Sequence, residues 1–175
     1  MTAPTLTTQR LSIEPMSRAH WEDYAAAWAD PRMTAFIGGE PRSRNVSWGK
    51  MLQGIGLWSL FGYGYWSFLE RESGRFVGNG GLAQFERGIA ALEDLPEAGW
   101  AFTPDAWGKG YATEAMTAIL DWADAQALGE IRCIIDTGNA ASHNVARKLG
   151  FTKFAESHDI IGDLFIYRRR PRISE

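Results

Sequence analysis

One short stretch constrains this chain more than any other. Ala98-Gly-Trp-Ala-Phe102 reads as a strand, and Thr103-Pro104 ends it. Asp105-Ala-Trp-Gly-Lys-Gly-Tyr-Ala-Thr-Glu-Ala115 then turns through Gly108 and Gly110 into a strongly amphipathic helix. Ala112, Ala115, Met116, Ile119, Leu120 and Ala123 recur at helical spacing along it, and Gly129 marks the expected stop. A strand passing through glycines into a helix leaves the first helical N–H groups unpaired at the positive end of the helix dipole. That is an anion site with a backbone able to approach closely, although a tight turn packed for its own sake uses glycine in the same way.

The rest of the chain supplies the layers for such a turn. Arg10–Glu14 alternates apolar and polar residues and predicts a first strand. A helix is expected from Ser17, its N-cap, to Asp30-Pro31, and a second from Asn45 to Leu60 despite Gly54 and Gly56. Tyr65–Glu70 and Arg75–Leu82 predict an antiparallel hairpin about the turn Glu72-Ser-Gly74. Beyond the glycine turn and its helix come a strand over Ile131–Asp136 and a short helix ending at Leu149-Gly150. Two strands near Thr152–Ser157 and Leu164–Arg169 follow. No repeat, linker or change of composition divides residues 1–175, so one α/β (α+β) domain is expected, with a mixed, mostly antiparallel sheet of about seven strands flanked by about four helices.

Composition narrows the function. A net charge of −3 does not favour a nucleic-acid partner, and the basic run Tyr167-Arg-Arg-Arg-Pro-Arg172 reads as a solvated edge strand. No apolar run reaches the ~18 residues of a membrane span, and MTAPTLTTQRL lacks the parts of a signal peptide, so a cytoplasmic protein is expected. The lone Cys133 lies within an expected core strand, and His20, His143 and His158 show no ligand spacing, so no metal site is expected. Ordinary phosphate motifs fail. A Walker loop needs Gly at Thr103 and Ser or Thr at Gly110, and the dinucleotide pattern misses its third glycine at Thr113.

Trp107-Gly-Lys-Gly-Tyr-Ala-Thr-Glu-Ala115 does resemble the acetyl-CoA signature of the GNAT N-acetyltransferases, most closely the branch that acetylates N-termini of ribosomal proteins. The resemblance extends in order through Thr8-Gln-Arg-Leu11, Gly62-Tyr-Gly-Tyr-Trp66, Phe76-Val-Gly-Asn-Gly-Gly-Leu82, Glu97-Ala-Gly-Trp100, Asn139-x-x-Ser142 and Lys148-Leu-Gly-Phe151. It implies splayed central strands and acetyl-CoA as co-substrate. The pyrophosphate would lie on Trp107, Gly108, Lys109, Gly110, Tyr111, Ala112 and Thr113, chiefly their main chain, with the Lys109 side chain a bystander. The pantetheine arm would pair with Trp100, Ala101 and Phe102, whose backbone polarises the thioester carbonyl. Asn139 and Ser142 would contact the arm, and Arg147 the adenosine end. Asp105 departs from the family, which often carries Arg or Gln there.

The implied chemistry is direct attack of a primary amine on the thioester in a ternary complex, without an acyl-enzyme. Glu97 is the candidate base, with Glu93, Asp94 and a bound water as alternatives. Relatives use a tyrosine acid seven residues after the asparagine. Ala146 stands there, leaving Ser142 as candidate, with capping of the helix start as its competing role. Phe36, Trp48 and Trp66 are the candidate acceptor contacts, with the core as their alternative home. The acceptor is a peptide N-terminus or a small amine. A second reading is an acyl-CoA-binding regulatory module without turnover, and eight tryptophans leave a homodimer open.

Overall fold

The computed structural model describes residues 3–159 and 162–171. Its strands are β1 (Leu6–Thr7), β2 (Leu11–Pro15), β3 (Tyr65–Glu70), β4 (Phe76–Ala83), β5 (Glu97–Phe102), β6 (Ile131–Asp136), β7 (Thr152–Asp159) and β8 (Gly162–Arg169). Its helices are α1 (Trp21–Trp28), α2 (Pro31–Thr34), α3 (Arg44–Phe61), α4 (Tyr111–Ala125) and α5 (Ala140–Lys148). All eight strands join one sheet in the order β1-β2-β3-β4-β5-β6-β8-β7, antiparallel throughout except between β5 and β6.

Strand β4 is buried along its whole length because helices cover both faces of the sheet. Adjacent residues divide between two cores. Phe76 and Ala101 pack with Tyr24, Trp28 and Met33 from the α1–α2 side and Met51 of α3. Val77 and Phe102 face Ala115, Met116, Ile119 and Leu120 of α4. Helix α3 carries Gly54 where a side chain would sit 3.0 Å from the Met16 sulfur and 3.3 Å from Tyr65 Cβ, so the residue that weakens its helical propensity lets it lie on the sheet.

Several local signals resolve differently from the sequence reading. The first helix starts later, after a 3-10 turn over Arg18–His20, and the Ser17 side chain makes no capping bond. Asp30-Pro31 ends α1 and also starts α2. Pro31 supplies the first-turn residue without an N–H, and the Asp30 side chain accepts from the Arg32 N–H at 2.8 Å. Helix α4 stops at Ala125, short of Gly129, because Ala127 takes φ 55° and Leu128 N–H bonds back to Ala123 at 3.2 Å. The basic strand β8 is no edge: it runs between β6 and β7. Its Arg169 is buried in a two-bond pair with Asp124 of α4, at 2.9 and 2.6 Å. Arg172 of that run lies outside the described residues.

The β3–β4 hairpin is tied to the start of α4 by Glu70. Its carboxylate accepts from Arg75 at 2.7 Å, Ser73 at 2.9 Å and the Tyr111 hydroxyl at 3.0 Å. These bonds, led by Arg75, lower its pKa from 4.5 to about 2. A carboxyl whose pKa falls on folding contributes stability above its unfolded value and loses it as pH drops through the folded one. Glu70→Gln should therefore lower Tm at neutral pH by about 2–6 °C. In thermal melts, the gap from wild type should close as pH falls from 4.5 toward about 2; a gap independent of pH would remove Glu70 from this role.

Candidate functional site

Helix α4 begins with Gly110 as N-cap at φ 79°, preceded by Gly108 at φ 73°, both in the left-handed region that favours glycine. Glu114 N–H is the first to close on the Gly110 carbonyl, at 3.1 Å. The N–H groups of Tyr111, Ala112 and Thr113 consequently have no acceptor within the helix. The turn is open, and a side chain at Gly108 would meet nothing within 4 Å. Trp107 is half exposed, and its indole N–H donates to the Phe102 carbonyl at 2.7 Å, pinning the turn to the end of β5. Asp105 is exposed in the 3-10 turn Pro104–Ala106, where its charge acts on Arg32 and Arg75.

Glu114, one turn into α4, fixes this geometry. It accepts from the Thr8 hydroxyl at 2.6 Å, from Arg10 N–H at 2.8 Å and from Arg10 Nε at 2.7 Å. Arg10 Nη1 reaches on to the Lys109 carbonyl at 2.8 Å. Burial works against the Glu114 charge, but the Thr8 and Arg10 bonds outweigh it and hold the carboxyl below its ordinary pKa. Thr8 and Arg10 thus clamp the glycine turn from the far end of the sheet. The Lys109 ammonium lies 3.9 Å from Glu70.

Strands β5 and β6 share one register pair, Glu97 with Arg132, and then separate. Thr103 N–H bonds to Val77 on β4 at 2.9 Å. By the two-residue alternation of an antiparallel ladder, the backbone groups of Ala98, Trp100 and Phe102 point the other way, toward β6. Phe102 C=O is taken by Trp107, whereas the Trp100 N–H and C=O face the opening between the strands.

A cavity of about 520 Å³ runs through that opening, from α1 and α3 across β5 to β6 and the start of α5. Six of the residues selected from sequence line it: Phe36, Glu97, Trp100, Ala101, Asn139 and Ser142. The Glu97 carboxylate is buried and accepts two bonds from Arg87, at 2.7 and 2.8 Å. Asn139 caps α5, its side chain accepting from Ser142 N–H at 3.1 Å, so capping falls to Asn139 rather than to Ser142. Among the described residues the Ser142 hydroxyl has no hydrogen-bond partner. Ala146 is fully buried.

The other selected residues fall elsewhere. Arg147 bonds Asn144 on the exposed side of α5, about 12 Å along the helix from Asn139. Trp66 is completely buried against Trp58 and Trp122, at ring distances of 4.6 and 5.3 Å, and Trp48 stacks edge-on against Trp21; neither lines the cavity.

Tyr24, Trp28, Tyr65, Asn79 and Arg87 also line the cavity without having been singled out from the sequence, as does Arg42, from the loop Pro31–Arg44 expected near the acceptor. Trp28 Nε1 donates to Asn79 Oδ1 at 3.0 Å, and the Arg42 guanidinium lies 3.5 Å above the Trp28 ring. Burial pushes the Tyr24 hydroxyl up to about 12, with Arg42 pulling the other way. Burial also raises Tyr65, and the Glu97 charge adds to it. Only Asn79 carried a signal, as the one amide in the otherwise apolar and glycine-rich run Phe76-Val-Gly-Asn-Gly-Gly-Leu-Ala83. Among the described residues no group of three or more His, Cys, Asp or Glu is placed to hold a metal ion, and no helix is long and apolar enough to cross a membrane.

This architecture and its glycine turn are found in known proteins. Residues 10–152 match the acetyltransferase (GNAT) domain family. A putative GnaT-family acetyltransferase from Bordetella pertussis superimposes with a TM-score of 0.85 at 26% identity, covering 95% of this chain and 99% of that one. The uncharacterized N-acetyltransferase p20 of Bacillus licheniformis is 27% identical over 85% of this chain and 83% of its own. The uncharacterized protein YkkB of Bacillus subtilis is 34% identical, but that match spans 51% of each chain. The ribosomal-protein-S5-alanine acetyltransferase of Vibrio fischeri shares the fold, with a TM-score of 0.76 at 17% identity. With the family match covering most of the sheet and the whole of the turn, this chain belongs to the GNAT family and is an acetyl-CoA-dependent acetyltransferase.

Proposed function

We propose that this acetyltransferase moves the acetyl group of acetyl-CoA directly to a primary amine bound in the cavity of α1, α3 and β5. The observation that carries the reading is the opening between β5 and β6. There the Trp100 main chain is left without a partner strand on the β6 side, and the cavity that runs through it is lined by Glu97 and Ser142.

The residues present fit the co-substrate. The N–H groups of Tyr111, Ala112 and Thr113, with the Gly108–Gly110 turn, form the pyrophosphate cradle, and the open space at Gly108 admits a phosphate close to the backbone. The free Trp100 N–H and C=O pair with the pantetheine amides as an added strand would, and Asn139 holds the arm from the start of α5. Arg147 serves the adenosine end from the exposed side of α5. Acetyl-CoA supplies an activated acyl group on a thiol leaving group.

The protein's part in the reaction follows from its donors and acceptors. Main-chain N–H in β5 stabilises charge developing on the carbonyl oxygen, a contribution of about 3–4 kcal/mol for one well-placed donor. An amine arrives protonated and must lose a proton. Arg87 occupies two of the roughly four lone-pair positions of Glu97, fixing its rotamer and leaving the others for that proton, directly or through water. Ser142, relieved of capping by Asn139, donates a hydrogen bond that stabilises the departing thiolate, whose proton comes from the one the amine gives up.

Glu97→Gln should lower kcat by about 10²–10⁴ and remove the acidic limb of the pH profile, the fall in acetyl transfer as a general base becomes protonated; an unchanged pH profile would exclude Glu97 from proton transfer. For the cradle, calorimetric titration with CoA should show that Lys109→Ala keeps most of the affinity. Gly110→Val should lose it, because a β-branched side chain is strained at φ 79°. The opposite ranking would overturn this assignment of the turn.

A further inference from the structure

The acceptor end of the cavity carries three cations, and two of them have no carboxylate partner among the described residues. Arg42, Lys50 and Arg87 line it, against the carboxylates Glu97 and Asp136. Glu97 is already neutralised by both nitrogens of Arg87. Asp136, the last residue of β6, accepts from Gly138 N–H at 2.8 Å and makes no ion pair with Arg42 or Lys50 among the described residues. Among the described residues neither Arg42 nor Lys50 is paired with a carboxylate. Arg42 is stacked on Trp28 and faces the Tyr24 hydroxyl, while Lys50 bonds only the neutral Gln53 side chain, at 3.3 Å.

Arg42, half-buried, and Lys50, exposed, lie beside the Arg87–Glu97 pair, and the like charges of Arg42 and Lys50 repel one another. Burial first, and then the charges of Arg42 and Arg87, lower the Lys50 pKa. Such an arrangement is relieved by an anion between the cations. The guanidinium of Arg42 is fixed by its aromatic neighbour, so its planar fork is set for a carboxylate or phosphate-type oxyanion. The same groups oppose a second ammonium, since a polyamine would add like charge to an uncompensated positive field.

We propose that the acceptor is a small primary amine carrying an oxyanion, which Arg42 and Lys50 hold while the amine points to Glu97 and the β5 backbone. The proposal rests on the acetyl-transfer reading above. A cavity of about 520 Å³ that also receives the end of the pantetheine arm leaves room for a small molecule with a short apolar middle. Tyr24, Trp28, Phe36 and Phe85 form walls for that middle. Arg42 and Lys50 are then the specificity-determining residues for the acceptor, distinct from the cradle at α4.

The test is release of free CoA from acetyl-CoA with matched acceptors. A series of ω-amino carboxylates is compared with their carboxamides, a series of aminoalkyl phosphonates with their neutral diesters, and both with spermidine. At least one anionic series should exceed its neutral counterpart in kcat/KM by about tenfold or more, and the faster series identifies the oxyanion. Arg42→Gln and, separately, the exposed Lys50→Gln should each raise KM for anionic acceptors by about tenfold or more with kcat largely kept. Neither should change acetyl-CoA affinity measured by calorimetry. Equal or better turnover of carboxamides, diesters or spermidine, with acetyl-CoA still bound, would overturn this inference and leave acetyl transfer standing. So would an anion preference untouched in both variants. Failure to bind acetyl-CoA at all would overturn both.

Discussion

Strands β5 and β6 meet at one residue pair and then part, and the site depends on that separation. In a sheet paired to the end, the Trp100 backbone would be consumed by β6 and no cavity would reach from α3 to α5. The single register pair, Glu97 with Arg132, is reinforced by the bond from Arg132 N–H to the Pro96 carbonyl at 2.8 Å. Beyond it, each strand is secured on its outer side instead, β5 by β4 and β6 by β8. The opening is therefore a property of a sheet well anchored on both flanks.

An opening alone would bind nothing in particular. Its two ends are given opposite tasks by residues remote in sequence. At one end Glu114 collects Thr8 and Arg10, and through Arg10 the Lys109 carbonyl, so the N-terminal strands hold the glycine turn in place. At the other, Arg87 locks Glu97 while Arg42 rests on Trp28, which is itself held by Asn79. Charged groups lie at both ends, but at the turn Glu70 and Glu114 balance the cations, whereas Arg42 and Lys50 stand unbalanced. That contrast separates a general cradle from a selective acceptor site.

How much of this was legible in the sequence follows from the range of each interaction. Periodicity located β3 and β6 to the residue and α3 to within one residue at each end, because alternation and capping act over a few positions. Leu6–Thr7 was missed because two residues carry no period. Trp66 looked like a ligand contact but is core, since an aromatic on a strand reads the same whichever face it takes. Arg87 was invisible because it lies in the loop before β5 and gains meaning only when that loop folds it back onto Glu97. In the spacing Asn139-x-x-Ser142, capping is the competing role expected of Ser142; the cap is made by Asn139 instead, which leaves the Ser142 hydroxyl unclaimed, and both residues line the cavity.

The central claim is that one continuous surface, from the α4 turn through the β5–β6 opening to the start of α5, receives CoA. Amide hydrogen exchange of the protein with and without CoA measures this directly. The account predicts slowed exchange at Gly108–Thr113, at Trp100 and at Thr137–Ser142, with the β7–β8 hairpin unchanged. Protection confined to the α1–α3 side, or absent from the α4 turn when CoA is bound, would contradict it.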